Sequence, residues 1–176
     1  DRTFYKNSGI NVKRFLLAIV SMGRFGGGST ITQQLAKNAF LTQEQTVTRK
    51  AKEFFLSLEL TKKYSKQEIL TMYLNNAYFG NGVWGVEDAS QKYFGTSAAN
   101  LTVDEAATLA GMLKGPEIYN PIDNIQNATN RRNTVLANMV DDKKLSQADA
   151  DSAAGVDMAS RLDDTYQGTG DDYKYP

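Results

Sequence analysis

Residues 26–37 read GGGSTITQQLAK, and this stretch decides how the rest of the sequence is interpreted. Three glycines precede Ser29 and Thr30, either of which can cap a helix that reaches about Phe40. Glycine lets the backbone approach a ligand closely, and the free amides of a first helical turn favour an anion. The stretch therefore predicts a helix whose start forms a polar ligand cradle, although a flexible linker before an ordinary N-cap would explain the glycines as well. No Lys directly precedes Ser29, which excludes a Walker P-loop.

The composition is that of one soluble globular domain. The chain has 176 residues, of which 41% are hydrophobic and 23% charged, close to the averages for such domains. It has no Cys and no His, which excludes a Ser-His-Asp triad, a Cys nucleophile, disulfides, and His- or Cys-ligated zinc or haem. Any chemistry must use carboxylates, amines, hydroxyls or amides.

The zero net charge hides a strong asymmetry along the chain. Residues 1–66 carry 12 basic against 4 acidic side chains, whereas residues 67–176 carry 8 against 16. A basic half of this kind indicates an anionic partner, which could be nucleic acid, a phospholipid surface or a phosphorylated substrate. The longest apolar run, residues 15–20, has six residues, far short of the about 20 that a membrane-spanning helix needs.

Helical periodicity dominates the sequence, and no segment alternates with a period of two. We therefore predict an all-α fold of about eight helices. Two of them follow capping boxes, Ser65 to Glu68 and Thr102 to Glu105. The remaining predicted helices cover Asn11–Met22, about Thr30–Phe40, Thr46–Lys63, Val86–Phe94, Ala128–Val140 and Ser146–Leu162.

A second candidate functional segment is RKAKE, residues 49–53. At helical spacing, Glu53 lies on one face with Arg49 and Lys50. Lys37 similarly lies one turn from Gln33 on the preceding helix. Surface ion pairs worth about 0.3–0.5 kcal/mol each would explain the second segment equally well. The flanking Phe54 and Phe55, however, favour partial burial of the carboxylate, where it would be poised between cations.

Together these segments resemble the peptidoglycan glycosyltransferase domain, glycosyltransferase family 51, of class A penicillin-binding proteins of the Gram-positive coccus type. The family has five ordered motifs, and this sequence matches them at Asp1–Phe4, Gly27–Gln34, Arg49–Glu53, Ile69–Asn75, and Glu105–Leu113 followed by Pro116–Pro121. The resemblance covers roughly residues 1–140. It implies a lysozyme-like multi-helix domain with a small membrane-facing jaw, over residues 1–165, and a linker towards a transpeptidase domain over residues 166–176.

The resemblance also implies the reaction. The 4-hydroxyl of a lipid II sugar attacks the anomeric carbon of the growing glycan strand, and undecaprenyl pyrophosphate leaves with inversion. Glu53 and Asp1 would be catalytic residues, and a divalent cation such as Mg²⁺ or Mn²⁺ would assist, without an organic cofactor. The implied substrate-binding residues are Ser29, Thr30, Gln33, Gln34, Lys37, Arg49, Lys50 and Asn75.

Two positions depart from the family pattern. Asn7 stands where a His is usual. The principal catalytic Glu of the family immediately precedes the position of Asp1, so we expect the chain beginning at Asp1 to bind lipid II without polymerising it. The resemblance further implies binding of moenomycin-type inhibitors, and a location on the outer face of the cytoplasmic membrane with an upstream transmembrane anchor. Residues 15–22 are suited to contact that membrane or to form core.

Two alternative functions remain open on the sequence. A lysozyme-like glycan cleaver would share the fold, but its substrate lacks a pyrophosphate, so it would not need the cationic residues. A non-catalytic module that binds lipid pyrophosphates would need them but would not turn over. Nucleic-acid binding is disfavoured because no known recognition motif is present.

Overall fold

The computed structural model describes residues 1, 3–10, 29–41, 47–163 and 165, and all structural statements below concern these residues. They belong to two compact units, residues 1–76 and residues 77–176. Their regular secondary structure is helical, apart from one isolated antiparallel bridge between Tyr78 and Trp84. The predicted all-α class is confirmed. The predicted helix Asn11–Met22, the glycine run 26–28 and the predicted linker 166–176 lie outside the described residues.

The first unit contains three helices, α1 (Ile31–Phe40), α2 (Val47–Lys63) and α3 (Lys66–Asn76). Thr30 and Gln33 form a complete capping box at the start of α1, and Ser65 and Glu68 form another before α3. Helix α1 packs against both α2 and α3. The buried apolar residues of the unit are Phe4, Ile10, Leu35, Ala36, Leu60, Ile69 and Tyr73.

The second unit contains four helices, α4 (Val86–Phe94), α5 (Val103–Met112), α6 (Ile125–Asp141) and α7 (Gln147–Ala154). Short 3₁₀ helices cover Ala98–Asn100 and Met158–Arg161. One apolar cluster packs α4 and α5 around Tyr93 and Met112, and a second packs α5, α6 and α7 around Leu136. None of the helices in the described parts of either unit is long and apolar enough to cross a membrane.

The structure shortens one predicted helix. The pattern over Ser146–Leu162 predicts one continuous helix, but α7 ends at Ala154 and a 3₁₀ helix follows. Gly155 is the C-cap of α7, and the buried guanidinium of Arg132 donates to the carbonyl oxygens of Ala154 and Val156 at 2.8 Å each. Arginine thereby satisfies helix-terminal carbonyls that a longer helix would have used internally.

Candidate active site

Three side chains form a closed hydrogen-bonded triangle where α1 begins. The Lys50 ammonium donates to Ser29 Oγ at 2.7 Å and to Glu53 Oε1, and Ser29 Oγ in turn donates to Glu53 Oε1 at 3.3 Å. Ser29 directly precedes the cap of α1, and the other two side chains lie one turn apart on α2. We refer to these residues as the Ser29–Lys50–Glu53 cluster. It joins the two candidate functional segments of the sequence, residues 26–37 and residues 49–53.

The burial of Glu53 explains why the three side chains are paired. Glu53 is only 1% exposed, and a buried carboxylate is tolerated only when it is paired and hydrogen-bonded. Lys50 supplies the opposite charge while its side chain remains 21% exposed. The cluster therefore offers an anchored ammonium and an oriented hydroxyl next to the positive end of the α1 dipole. The expected burial of Glu53 is found, with Lys50 as the observed ion-pair partner.

The capping residues of α1, Thr30 and Gln33, form hydrogen bonds that stabilise the helix start. The Thr30 backbone N–H donates to Gln33 Oε1 at 2.9 Å, and the Gln33 backbone N–H donates to Thr30 Oγ1 at 3.1 Å. Thr30 Oγ1 also donates to the carbonyl oxygen of Gly9 at 2.6 Å. Gln33 is fully buried, and within the described part of the chain its Nε2 has no acceptor. A buried donor without an acceptor carries a desolvation cost that a ligand oxygen would relieve.

Asp1 contacts the same helix start. One carboxylate oxygen accepts from the Thr3 amide at 3.2 Å and from Thr3 Oγ1 at 3.0 Å, and the other accepts from the Ile31 amide at 3.2 Å. The first amide of α1 is therefore held by Asp1, an arrangement that the helix dipole favours. This geometry is that of a carboxylate that positions the helix, and the catalytic role expected of Asp1 stays a prediction.

The remaining predicted site residues lie on α1, α2 and α3. Arg49 and Lys37 are half-buried, the former adjacent to Lys50 on α2 and the latter in the last turn of α1. Gln34 is half-buried, and its Nε2 donates to the Ser29 carbonyl oxygen at 3.5 Å. Asn75 is exposed in the last turn of α3, and no hydrogen bond among the described residues joins its side chain to the cluster.

Tyr73 is a contact residue that the sequence interpretation missed. Its hydroxyl donates to Gln34 Oε1 at 3.1 Å, and the side chain is buried. Burial raises the pKa of this phenol above its ordinary value. The available signal was its spacing of four from Ile69, which puts Tyr73 on the buried face of α3, where its hydroxyl requires a polar partner.

Among the described residues, the side chains around the cluster do not offer the ligand set of a divalent cation. No group of three or more acidic side chains among the described residues could hold a metal ion. Glu53 Oε1 already accepts from the Lys50 ammonium, whose charge would repel a cation. Magnesium usually needs carboxylate and phosphate oxygens together, and the divalent cation that the resemblance implies stays a prediction.

Comparison with known proteins decides the family. Residues 1–140 match the model of the transglycosylase family. The chain belongs to the transglycosylase family. It is 68% identical over its full length to penicillin-binding protein 2a of Streptococcus pneumoniae, and 49% identical over 82% of its length to penicillin-binding protein 1B of Haemophilus influenzae. It spans 24% and 20% of those two relatives.

A solved structure supports the fold assignment of this transglycosylase chain. The crystal structure of penicillin-binding protein 1A from Haemophilus influenzae matches with a TM-score of 0.51 and 40% identity, over 53% of this chain and 14% of that one. The resemblance to the glycosyltransferase domain of class A penicillin-binding proteins is thereby confirmed, together with the all-α, lysozyme-like fold class that it implies.

Proposed function

We propose that this transglycosylase chain polymerises lipid II into glycan strands by inverting transfer, with undecaprenyl pyrophosphate as the leaving group. Family membership supports the class of reaction. The observation that supports this substrate is the Ser29–Lys50–Glu53 cluster, where a hydroxyl and an ammonium converge at the positive end of the α1 dipole. These are the groups that recognise a diphosphate.

Departure of a pyrophosphate requires stabilisation of developing negative charge. Lys50 can donate to a phosphate oxygen through a remaining N–H, while Ser29 holds that ammonium in place. The buried Nε2 of Gln33 offers a further donor. Arg49, next to Lys50 on α2, and Lys37, in the last turn of α1, would add positive charge, consistent with the basic character of residues 1–66. In this proposal Asn75 contacts a sugar of the substrate.

Glu53 serves as an orienting group in this mechanism. Its Oε1 accepts from both other members of the cluster, so it fixes the ammonium and the hydroxyl before substrate arrives. Such preorganisation is what makes electrostatic stabilisation effective. The base that takes the proton from the sugar 4-hydroxyl is, by the family resemblance, the Glu preceding the Asp1 position, worth about 10²–10⁴ in rate.

The glycan cleaver is less compatible with this geometry. Glycoside hydrolysis needs a carboxylic acid to protonate the departing sugar oxygen. Glu53 Oε1 instead accepts hydrogen bonds from the Lys50 ammonium and from Ser29 Oγ, so this oxygen is already occupied as an acceptor. A location on the outer face of the cytoplasmic membrane, where lipid II is presented, forms part of the proposal.

The test is a paired titration of the protein with lipid II and with an undecaprenyl-free glycan strand. Lys37→Ala and Ser29→Ala should each weaken lipid II binding by roughly tenfold to a hundredfold, the range for losing a charge-assisted hydrogen bond, and should leave strand binding within about twofold. Lys52→Ala is the matched control, since Lys52 is exposed on α2. Equal losses for both ligands would favour the cleaver. Moenomycin-type inhibitors should compete with lipid II. Protein that carries the family Glu should also release undecaprenyl pyrophosphate. If that protein binds lipid II without releasing it, the non-catalytic module is favoured.

A further inference from the structure

A second polar cluster lies on the other side of Asp1, centred on Asn7. The Asn7 amide nitrogen donates to Thr3 Oγ1 at 3.2 Å and to Asp1 Oδ2 at 3.4 Å. The amide oxygen accepts from the Gly9 amide at 3.0 Å and from the Lys66 ammonium at 3.1 Å. Both ends of this one side chain are thus used, with a cation at the oxygen and a carboxylate at the nitrogen.

Lys66 occupies an unusual position for a lysine. It is the first residue of α3, and its ammonium lies 4.6 Å from the ring centroid of the buried Phe4. Burial lowers the pKa of this ammonium below its ordinary value. Among the described residues its hydrogen-bond partner is the neutral Asn7 oxygen. A partly desolvated cation opposite a neutral amide is destabilised by itself. The opposite charge lies at the other end of the Asn7 amide, on the Asp1 carboxylate.

Two routes lead from Asn7 to the start of α1. The first passes through Asp1 Oδ2, which accepts from both Asn7 Nδ2 and the Ile31 amide. The second passes through Gly9, whose amide donates to Asn7 and whose carbonyl accepts from Thr30 Oγ1 at 2.6 Å. Gly9 has φ +89°, and a Cβ there would lie 2.2 Å from Thr61 Oγ1 on α2. The segment around Asn7 is therefore fixed against α2 while it holds both the cap and the first amide of α1.

We propose that Lys66 and Asn7 are positioning residues for the transglycosylase reaction. The Lys66 charge polarises the Asn7 amide, which strengthens its hydrogen bond to the Asp1 carboxylate, since hydrogen bonds in a chain reinforce one another. Asp1 then fixes the first turn of α1, and with it Ser29, two residues before Ile31. The catalytic consequence rests on the proposed function, whereas the link between Lys66 and α1 does not.

The consequence for kinetics follows from what α1 binds. A pyrophosphate is present in the bound substrate and gains negative charge in the transition state, so loosening its cradle weakens the transition state at least as much as the bound substrate. Such a loss lowers kcat/KM. Lys66→Met keeps the aliphatic stem over Phe4 but removes the charge, whereas Lys66→Arg keeps the charge and the donor. Lys62→Met is the matched control, because Lys62 is an exposed lysine paired with exposed Glu59.

The experiment uses the full protein that contains this chain, with two measurements on each variant. In lipid II polymerisation, Lys66→Met should lower kcat/KM by on the order of threefold to tenfold, and Lys66→Arg should restore it. In hydrogen exchange, the segment covering residues 29–35 should exchange faster in Lys66→Met while α5 is unchanged, and Lys62→Met should change neither readout.

A double-mutant cycle makes the proposal falsifiable even where one variant is unstable. Asn7→Leu removes both hydrogen-bonding ends, so the variant that combines it with Lys66→Met should resemble the worse single variant, because the two residues act through one chain. Additive effects, no rescue by Lys66→Arg, or faster exchange with unchanged kcat/KM would overturn the proposal. Failure of the wild-type protein to use lipid II would instead refute the proposed function, and the exchange measurement would then still decide whether Lys66 supports α1.

Discussion

Removing the charge of Lys50 tests the physical basis of the candidate site most directly. In Lys50→Met the aliphatic stem is retained, but the Glu53 carboxylate, 1% exposed, loses its ion-pair partner. In Glu53→Gln the opposite occurs, and the ammonium left behind can reach solvent because the Lys50 side chain is 21% exposed. The two single variants should therefore differ in stability although each removes the same ion pair.

The structure sets the expected magnitudes. Stranding a buried charge by removing its partner costs about 3–5 kcal/mol, and the partial exposure of Lys50 places the expected loss for Lys50→Met near the lower end, at about 3 kcal/mol. Glu53→Gln retains an acceptor for the ammonium and should cost about 1–1.5 kcal/mol. The double variant leaves no stranded charge, so it should be more stable than Lys50→Met alone.

The assay is thermal and urea unfolding of the chain followed by circular dichroism at 222 nm. For a chain of this size 1 kcal/mol shifts Tm by about 2–4 °C, so Lys50→Met should lower Tm by about 6–12 °C. Lys62→Met is the control on the same helix, since its pair with Glu59 has side chains 70% and 54% exposed and should contribute less than about 0.5 kcal/mol. A Lys50→Met variant no less stable than this control, or a double variant less stable than both singles, would refute the reasoning.

Three further outcomes are expected. Arg132→Lys removes the fork that holds the Ala154 and Val156 carbonyls and should lower the free energy of unfolding by about 1–3 kcal/mol in urea titration. Burial raises the pKa of Tyr93, so its contribution to stability is present below the ordinary tyrosine pKa of about 10 and is lost as pH rises further. Urea midpoints measured across that range should therefore fall, and Tyr93→Phe should flatten the fall. Thr30→Ala removes the cap of α1 and should cost about 1 kcal/mol in the same titration.

Local signals in the sequence predicted the helices well. The capping boxes before α3 and α5 begin where the Ser and Thr residues indicate, because a cap depends on residues within one turn of each other. The end of α7 also has a local signal, Gly155 at its C-cap, which the longer predicted helix passed over. The contact with Arg132, more than twenty residues earlier in the chain, is one that no local pattern reports.

The contacts of the candidate site are also partly local and partly between distant parts of the chain. Spacing on one helix placed Lys50 and Glu53 on one face, and their contact follows from that spacing. Ser29 joins them across 24 residues of sequence, and Tyr73 reaches Gln34 across 39. These contacts depend on how α1 packs against α2 and α3, which composition and periodicity do not encode. The order of the motifs in the resembling family was the signal that grouped the segments before their geometry was known.

The charge arrangement implies that different residues attract an anion to the start of α1 and align it there. Lys50 and Glu53 neutralise each other, so together they add little net attraction for an anion and act mainly by fixing Ser29 and the direction of one ammonium. Net attraction must then come from cations outside the cluster, and Lys37 in the last turn of α1 is such a side chain. Long-range attraction weakens with ionic strength, whereas a short, partly buried hydrogen bond does not. Binding at this helix start should therefore combine a salt-dependent capture step with a salt-insensitive alignment step, and the two belong to different residues.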